Sequence, residues 1–320
     1  MKLLVKKMLC ASIVVSTVWA SDVAEVKVDN SSKVDIEVFT SVNADGKITT
    51  KTIEDTFTKA GFTVSANRDM NGPFVKQFKS SNFDTYNLFT FYKKDTVLEL
   101  AKKYPNVGLF APMSMSIYTK KGEKSISVSS LSAEAMAKIM KAPSDDKILH
   151  SLRKLVKDTL KDAMPNGTFE KLNYSMQKPK GDLVTNFSMS MDEEEWSDEL
   201  DEVKMEFEGE LSSNGFVVAG FNNLGAEFKE ASYNGYDFYE VYSICKLPVI
   251  YTIAQTRPEA GAYAPCSLYF SKKKDENMLQ IAFPSVYNWM SSMDIENEAD
   301  IKILEDAQTK MQNLLTSLTE

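Results

Sequence analysis

Few side chains in this sequence could carry chemistry. There is one histidine, His150, and three cysteines, and 45 Asp and Glu stand against 37 Lys and Arg. A nucleophilic triad needs an imidazole with an acidic partner, and a zinc centre needs several His or Cys ligands. His150, flanked by Ser151 and Arg153, supplies neither and reads as a partly exposed helix residue. No Gly-rich phosphate loop, GxGxxG, CxxC or HExxH occurs. The sequence therefore predicts no catalytic residue, no metal site and no cofactor, and an enzyme is the less favoured reading.

Cys245 and Cys266 are the best remaining candidates. Cys245 falls where a strand hands over to a helix, a place where backbone N–H groups favour a thiolate. Cys266 opens the next strand, twenty-one residues later. If the two strands are antiparallel neighbours the sulfurs could meet, whereas a parallel crossover would hold them apart. A structural disulfide, two unpaired core thiols, and a redox or metal-binding role are the readings, in that order.

Tyrosines form the second group. Tyr86 and Tyr92, and again Tyr239 and Tyr242, crowd a strand that leads toward a Pro/Gly turn ending at Pro112 in one case and Pro265 in the other. Aromatic strands are mostly core, and such turns mostly fix backbone geometry. These six residues could also floor a pocket for a small apolar or aromatic ligand. The acidic run Asp192 to Glu202 lacks the alternating acids and central Gly of a calcium loop. Trp196, Leu200, Val203, Phe207 and Leu211 recur through it at helical spacing, so it predicts an amphipathic helix with a solvated acidic face.

The elements that must position these residues are written twice. Tyr86 to Met113 aligns with Tyr239 to Cys266 at a constant offset of 153, with identities at Tyr86/Tyr239, Lys93/Lys246, Pro105/Pro258, Gly108/Gly261 and Pro112/Pro265. The match extends to Gly61-Phe62 with Gly215-Phe216 and to the KIL of Lys147 with that of Lys302. Each copy reads as a strand, a helix ending at Gly-Phe, a strand, a tyrosine-rich strand, a helix, the Pro/Gly turn, a hairpin and a long closing helix. In the first copy Thr49 or Thr50 would cap the first helix, Asn71-Gly72-Pro73 would form a turn, and Asp95 would cap the middle helix. The closing helices carry the stripes Leu149, Leu152, Val156, Leu160 and Leu304, Ala307, Met311, Leu315, Leu318. The class is α+β: two tandem copies of a small two-layer α/β domain, each a mixed sheet with helices packed on one face. The domains run over 34–164 and 182–320, with a linker at 165–181.

Residues 1–20 place Lys2, Lys6 and Lys7 before a 13-residue apolar run ending at Ala20, the pattern of a secretory signal peptide. Lys7 beside Met8 and Leu9 argues against lipid attachment at Cys10. Losing those three lysines takes the formal charge from −8 to −11, which removes the electrostatic basis for nucleic-acid binding. No later run is long and apolar enough to span a membrane.

The order of elements, with Pro-x-x-Gly-x-x-Ala-Pro in both copies, resembles the bacterial domain of unknown function 302 family. The second copy is the better match, because that family often shows a cysteine near the start of the middle helix and a Pro-Cys after the turn, here Cys245 and Pro265-Cys266. The first copy has Tyr92 and Met113 instead. The resemblance implies a compact two-layer fold and a tendency to pair domains, and it supplies no reaction. The expected protein is thus periplasmic and non-enzymatic, an internal pseudo-dimer that binds a small ligand or a partner protein. A thiol-based redox accessory protein using Cys245 and Cys266, and a structural envelope component, are the alternatives.

Overall fold

The computed structural model describes residues 34–320. The signal-peptide reading of residues 1–20, and Cys10 with it, lies outside the described residues. The first copy contains β1 (Ile36–Val42), α1 (Thr50–Lys59), β2 (Thr63–Asp69), α2 (Asn71–Phe78), β3 (Phe83–Tyr92), α3 (Lys94–Ala101), a 3₁₀ turn (Pro105–Phe110), β4 (Met113–Lys120), β5 (Ser125–Leu131), α4 (Ala133–Met140) and α5 (Lys147–Ala163). A two-residue strand, β6 (Thr168–Phe169), follows. The second copy repeats the order as β7 (Val184–Ser190), α6 (Trp196–Ser213), β8 (Val217–Asn223), α7 (Leu224–Glu230), β9 (Tyr236–Cys245), α8 (Leu247–Ala254), a 3₁₀ turn (Pro258–Tyr263), β10 (Cys266–Lys273), β11 (Met278–Pro284), α9 (Tyr287–Met293) and α10 (Glu298–Thr319).

The strand orders are β2-β3-β4-β5-β1-β6 and β7-β11-β10-β9-β8, the same arrangement in both copies apart from β6. The α+β class of two repeated domains holds, but every pairing is antiparallel, where a mixed sheet was expected. Long helices cover one face of each sheet. Phe57 of α1 meets Phe89 and Phe91 edge-on, and Phe207 of α6 meets Tyr242 and Phe270. The other face of each sheet meets the other copy. A strand covered on both sides must be apolar throughout rather than alternating, which is why β3 is buried without a break from Tyr86 to Tyr92.

Local signals act much as the sequence implies. Thr49 and Thr52 form a capping box on α1, and Gly61 adopts φ +84° to end it. The acidic run enters α6, which buries Leu200, Val203, Phe207 and Leu211. Some local readings fail. Asn71-Gly72-Pro73 opens α2 instead of a turn, because a proline in the first helical turn loses no hydrogen bond and the Asp69 carboxylate accepts from the Asn71 and Gly72 N–H groups. Lys93, not Asp95, occupies the cap position of α3. His150 is buried on α5, with Nε2 2.8 Å from the Ser144 carbonyl. Within the expected linker, β6 pairs with β1 and packs Phe169 on Phe39.

Candidate functional site

The repeated Tyr, Gly and Pro residues build the contact between the copies, and they do so reciprocally. Tyr86 donates to the Pro258 carbonyl at 3.0 Å, and Tyr239, its equivalent, donates to the Pro105 carbonyl at 2.6 Å. Ser114 donates to the carbonyl of Pro265 and Ser267 to that of Pro112, at 2.9 and 3.0 Å. Both prolines follow cis peptide bonds. Gly108 donates its N–H to the Tyr239 hydroxyl at 2.8 Å and lies so close that a Cβ there would sit 2.7 Å from that oxygen. A Cβ on Gly261 would sit 2.5 Å from Ser116 Cβ. Each 3₁₀ turn therefore docks on the other copy's sheet, and only a bare backbone fits there.

This geometry locates the tyrosines. Tyr86 and Tyr239 are fully buried struts of the contact, and burial holds both phenols far above their usual range. Tyr242 points the other way, into the helical layer of its own copy, where it donates to Glu208 at 2.7 Å. Tyr92 reaches across the contact and donates to Glu227 at 2.6 Å, and Lys94 pairs with the same carboxylate at 2.8 Å. The six candidates do not share one pocket.

The pseudo-symmetry breaks at Tyr92. At the equivalent positions the second copy has Cys245 for Tyr92 and Leu247 for Lys94, and the segment opposite presents Met70 and Pro73. On that side no counterpart of the Tyr92–Glu227 bond exists, and the bridge lies farther along α8, where Tyr251 stacks on Phe78 and its hydroxyl is 3.0 Å from the Ser80 hydroxyl. A groove of about 360 Å³ remains between the copies, walled by Ala66, Arg68, Asp69, Met70, Pro73, Leu88 and Thr90 of the first and by Val217, Val218, Ala219, Cys245, Leu247 and Pro265 of the second. Two of the sequence candidates, Cys245 and Pro265, meet here. The walls are mostly apolar, and the exposed Arg68 guanidinium has no hydrogen-bond or ion-pair partner among the described residues. Val217, Val218 and Phe221 of the same edge strand are 56%, 45% and 48% exposed.

The cysteines are free. The strands β9 and β10 are antiparallel neighbours, the arrangement that would let the sulfurs meet, but Cys266 pairs with Ile244 rather than with Cys245. A register one residue away from direct opposition starts the two side chains on opposite faces of the sheet. Burial pushes both thiols up to about 12, so desolvation overrides the helix start that follows Cys245, and the thiolate expected there is not favoured. No group of three or more His, Cys, Asp or Glu side chains among the described residues could hold a metal ion.

Arg68, Pro73, Leu247 and the Val217–Ala219 edge are missed from the sequence alone. Aligning the copies, which already sets Cys245 against Tyr92, and asking where else one exchanges a long polar side chain for an apolar one would have found Leu247.

Comparison with known proteins agrees with the duplication. The model of the family described as "Domain of unknown function DUF302" matches residues 38–164 and again 193–318. The chain belongs to the DUF302 family. Among solved structures, it is similar to an uncharacterized conserved DUF302 protein from Bacillus stearothermophilus, at 14% identity and a TM-score of 0.36, over 43% of this chain and 98% of that one. No curated protein matches the sequence. In this DUF302 chain no helix among the described residues is long and apolar enough to cross a membrane.

Proposed function

We propose that this protein is a non-enzymatic binding protein of the periplasm, exported by its N-terminal segment, and that it holds a small ligand in the groove between its two DUF302 copies. The observation that carries the reading is the broken symmetry of the contact. The Tyr92 side is pinned by Glu227, while the Cys245 side is left open at about 360 Å³, within the ordinary range for small-molecule sites. Mostly apolar walls with one unpaired guanidinium, beside an Asp69 carboxylate already engaged by the Asn71 and Gly72 N–H groups, suit a compact apolar molecule that bears an anionic group. A thiol-redox role draws no support from two unbonded and weakly acidic thiols, Cys245 buried and Cys266 half-buried.

The test uses the mature protein and 8-anilinonaphthalene-1-sulfonate, an aromatic sulfonate of this shape. Enhanced fluorescence that saturates at one equivalent is expected. Cys245→Tyr, which installs the residue of the closed side, should abolish it, and Arg68→Ala should weaken it by about tenfold, the loss of one charge-assisted contact. Binding that ignores both substitutions would overturn the assignment. Native mass spectrometry of protein from the exported fraction would then read the size of the natural ligand, and a bare mature mass would favour a partner-binding or structural role.

A further inference from the structure

The second sheet ends on an open edge that the first sheet covers. β1 and β7 are equivalent strands, since Phe39 lies opposite Val128 and Phe187 opposite Ile281 at the same places in their sheets. Beside β1 runs β6. Phe169 packs on Phe39 with ring centroids 4.8 Å apart, and the Glu170 N–H donates to the Val38 carbonyl at 2.8 Å. Phe39 is 1% exposed as a result. β7 is the outermost strand of its sheet, and Phe187 is only half-buried.

The open groups of that edge can be named. Leu183 accepts from the Ser285 N–H at 2.9 Å, and Met191 donates to the Asn277 carbonyl at 3.1 Å. Antiparallel bonding alternates residue by residue, so the odd-numbered residues of β7 turn their N–H and C=O groups toward β11, while Val184, Asn186, Ser188 and Ser190 turn theirs outward. Among the described residues only the Asn186 side chain reaches these groups, donating to the Val184 carbonyl at 3.3 Å. The two faces beside the edge differ. Thr185 accepts from Gln308 of α10 at 2.7 Å, so Thr185, Phe187 and Met189 face the helical layer. Asn186, Ser188 and Ser190 are exposed on the opposite face. A strand that pairs here must be apolar on one face and polar on the other.

We propose that residues 24–28 of the chain itself close this edge as an added antiparallel strand on β7. Ala24, Val26 and Val28 alternate with Glu25, Lys27 and Asp29, the pattern of a half-buried strand. With Val26 opposite Phe187, Ala24 and Val28 flank it beside Met189 and Thr185, and Glu25 and Lys27 join Ser188 and Asn186 on the polar face. The reach is sufficient. Ser292 of α9 donates to Asp35 at 2.6 Å, and Asn288, one turn earlier, donates to the Leu183 carbonyl at 2.6 Å, so Asp35 lies within about 20 Å of the start of β7. The seven steps from Val28 to Asp35 extend to about 23 Å. A segment arriving from Asp35 meets β7 at its Val184 end, which makes the added strand antiparallel.

The test is amide hydrogen exchange on the mature chain, read residue by residue by NMR. The outward Asn186 and Ser188 N–H groups should exchange at least about tenfold more slowly than in Val26→Asp, which sets a charge against Phe187. That substitution touches none of the contacts described above, so amides of the central strand β9 should exchange alike in both proteins. Mild oxidation of a chain carrying Glu25→Cys and Ser188→Cys should form a disulfide, seen as two hydrogens lost in the intact mass. Val26→Cys with Ser188→Cys should not, because those side chains leave opposite faces of the sheet. Unprotected Asn186 and Ser188 in the mature chain would overturn the proposal, as would protection that survives Val26→Asp, or disulfides formed equally from both cysteine positions. Protection that is lost on dilution would overturn it too, and would assign the edge to a second copy of the chain.

Discussion

At the scale of single residues, burial governs the titratable groups. With both thiols pushed up to about 12, the thiolate fraction at pH 7 is on the order of 10⁻⁵, against a few per cent for an unperturbed cysteine. Iodoacetamide should therefore leave the native protein unmodified for hours and add two groups to the described residues once it is unfolded in guanidinium; intact mass reads both states, and native-state labelling within minutes would restore the redox reading. Glu259 is the acidic counterpart. It is 5% exposed, accepts a hydrogen bond from Tyr174 at 2.7 Å, and is raised by burial against the opposing pull of Arg257 and Lys120. The folded state then keeps this proton to higher pH than the unfolded state, so stability falls as pH climbs from the ordinary glutamate range through the folded value and stays lower above it. Glu259→Gln should melt above the parent at pH 7 and with it near pH 3. Thermal unfolding across that range checks the sign; a variant that melts lower at pH 7 would mean the charge is compensated.

At the scale of elements, glycines separate the docked turns from ordinary surface. Gly261→Ala would force a methyl within 2.5 Å of Ser116 Cβ and 2.9 Å of its Cα, and Gly108→Ala would meet Tyr239 and Tyr269. Each should cost about 1–3 kcal/mol by overpacking. Gly209, exposed in the middle of α6 with open space around it, gives the control: Gly209→Ala should stabilise by up to about 1 kcal/mol. Urea unfolding of the three variants distinguishes a docked turn from a free one. The same elements show what could be read in the chain. Helix stripes such as Leu149 to Leu160, the Thr49 cap and the Gly61 stop are legible because they are set by neighbours within a few residues. The repeat offset is legible too, and with it the fold. The role of Tyr86 and Tyr239 is not, since an aromatic strand facing a ligand and one facing another domain have the same composition. The free state of Cys245 and Cys266 turns on a register of one residue, which spacing does not encode. The groove is set by side chains that one copy lacks: aligning the copies marks where the exchange falls, and only the fold shows that the exchanged residues face the other copy.

At the scale of the whole molecule, fusing two copies lets them diverge without losing each other. A homodimer of identical chains must place the same residues on both sides of its axis, so it could not pin one side with Tyr92, Lys94 and Glu227 and open the other with Cys245 and Leu247. Covalent linkage also holds the copies at high effective concentration, which relaxes the demand on the contact itself. The contact nevertheless carries the paired Tyr–Pro and Ser–Pro hydrogen bonds, the Ser292–Asp35 bond at 2.6 Å and a stack of Tyr251 on Phe78 at 3.9 Å. These bonds reach backbone carbonyls and buried carboxylates that separation would leave exposed and incompletely paired. Cutting the chain should therefore not part the copies. Residues 175–178 are exposed, and a specific protease site placed there should yield two fragments that co-elute from a sizing column and unfold together in urea. Tyr239→Phe strips the hydroxyl from one strut and leaves the Pro105 carbonyl and Gly108 N–H unpaired, at about 1–3 kcal/mol. In the nicked protein that loss should appear as weaker association of the fragments, whereas in the intact chain it should appear only as a lower melting temperature. Fragments that separate on cutting without any substitution would show that the linker, not the contact, holds the two copies together.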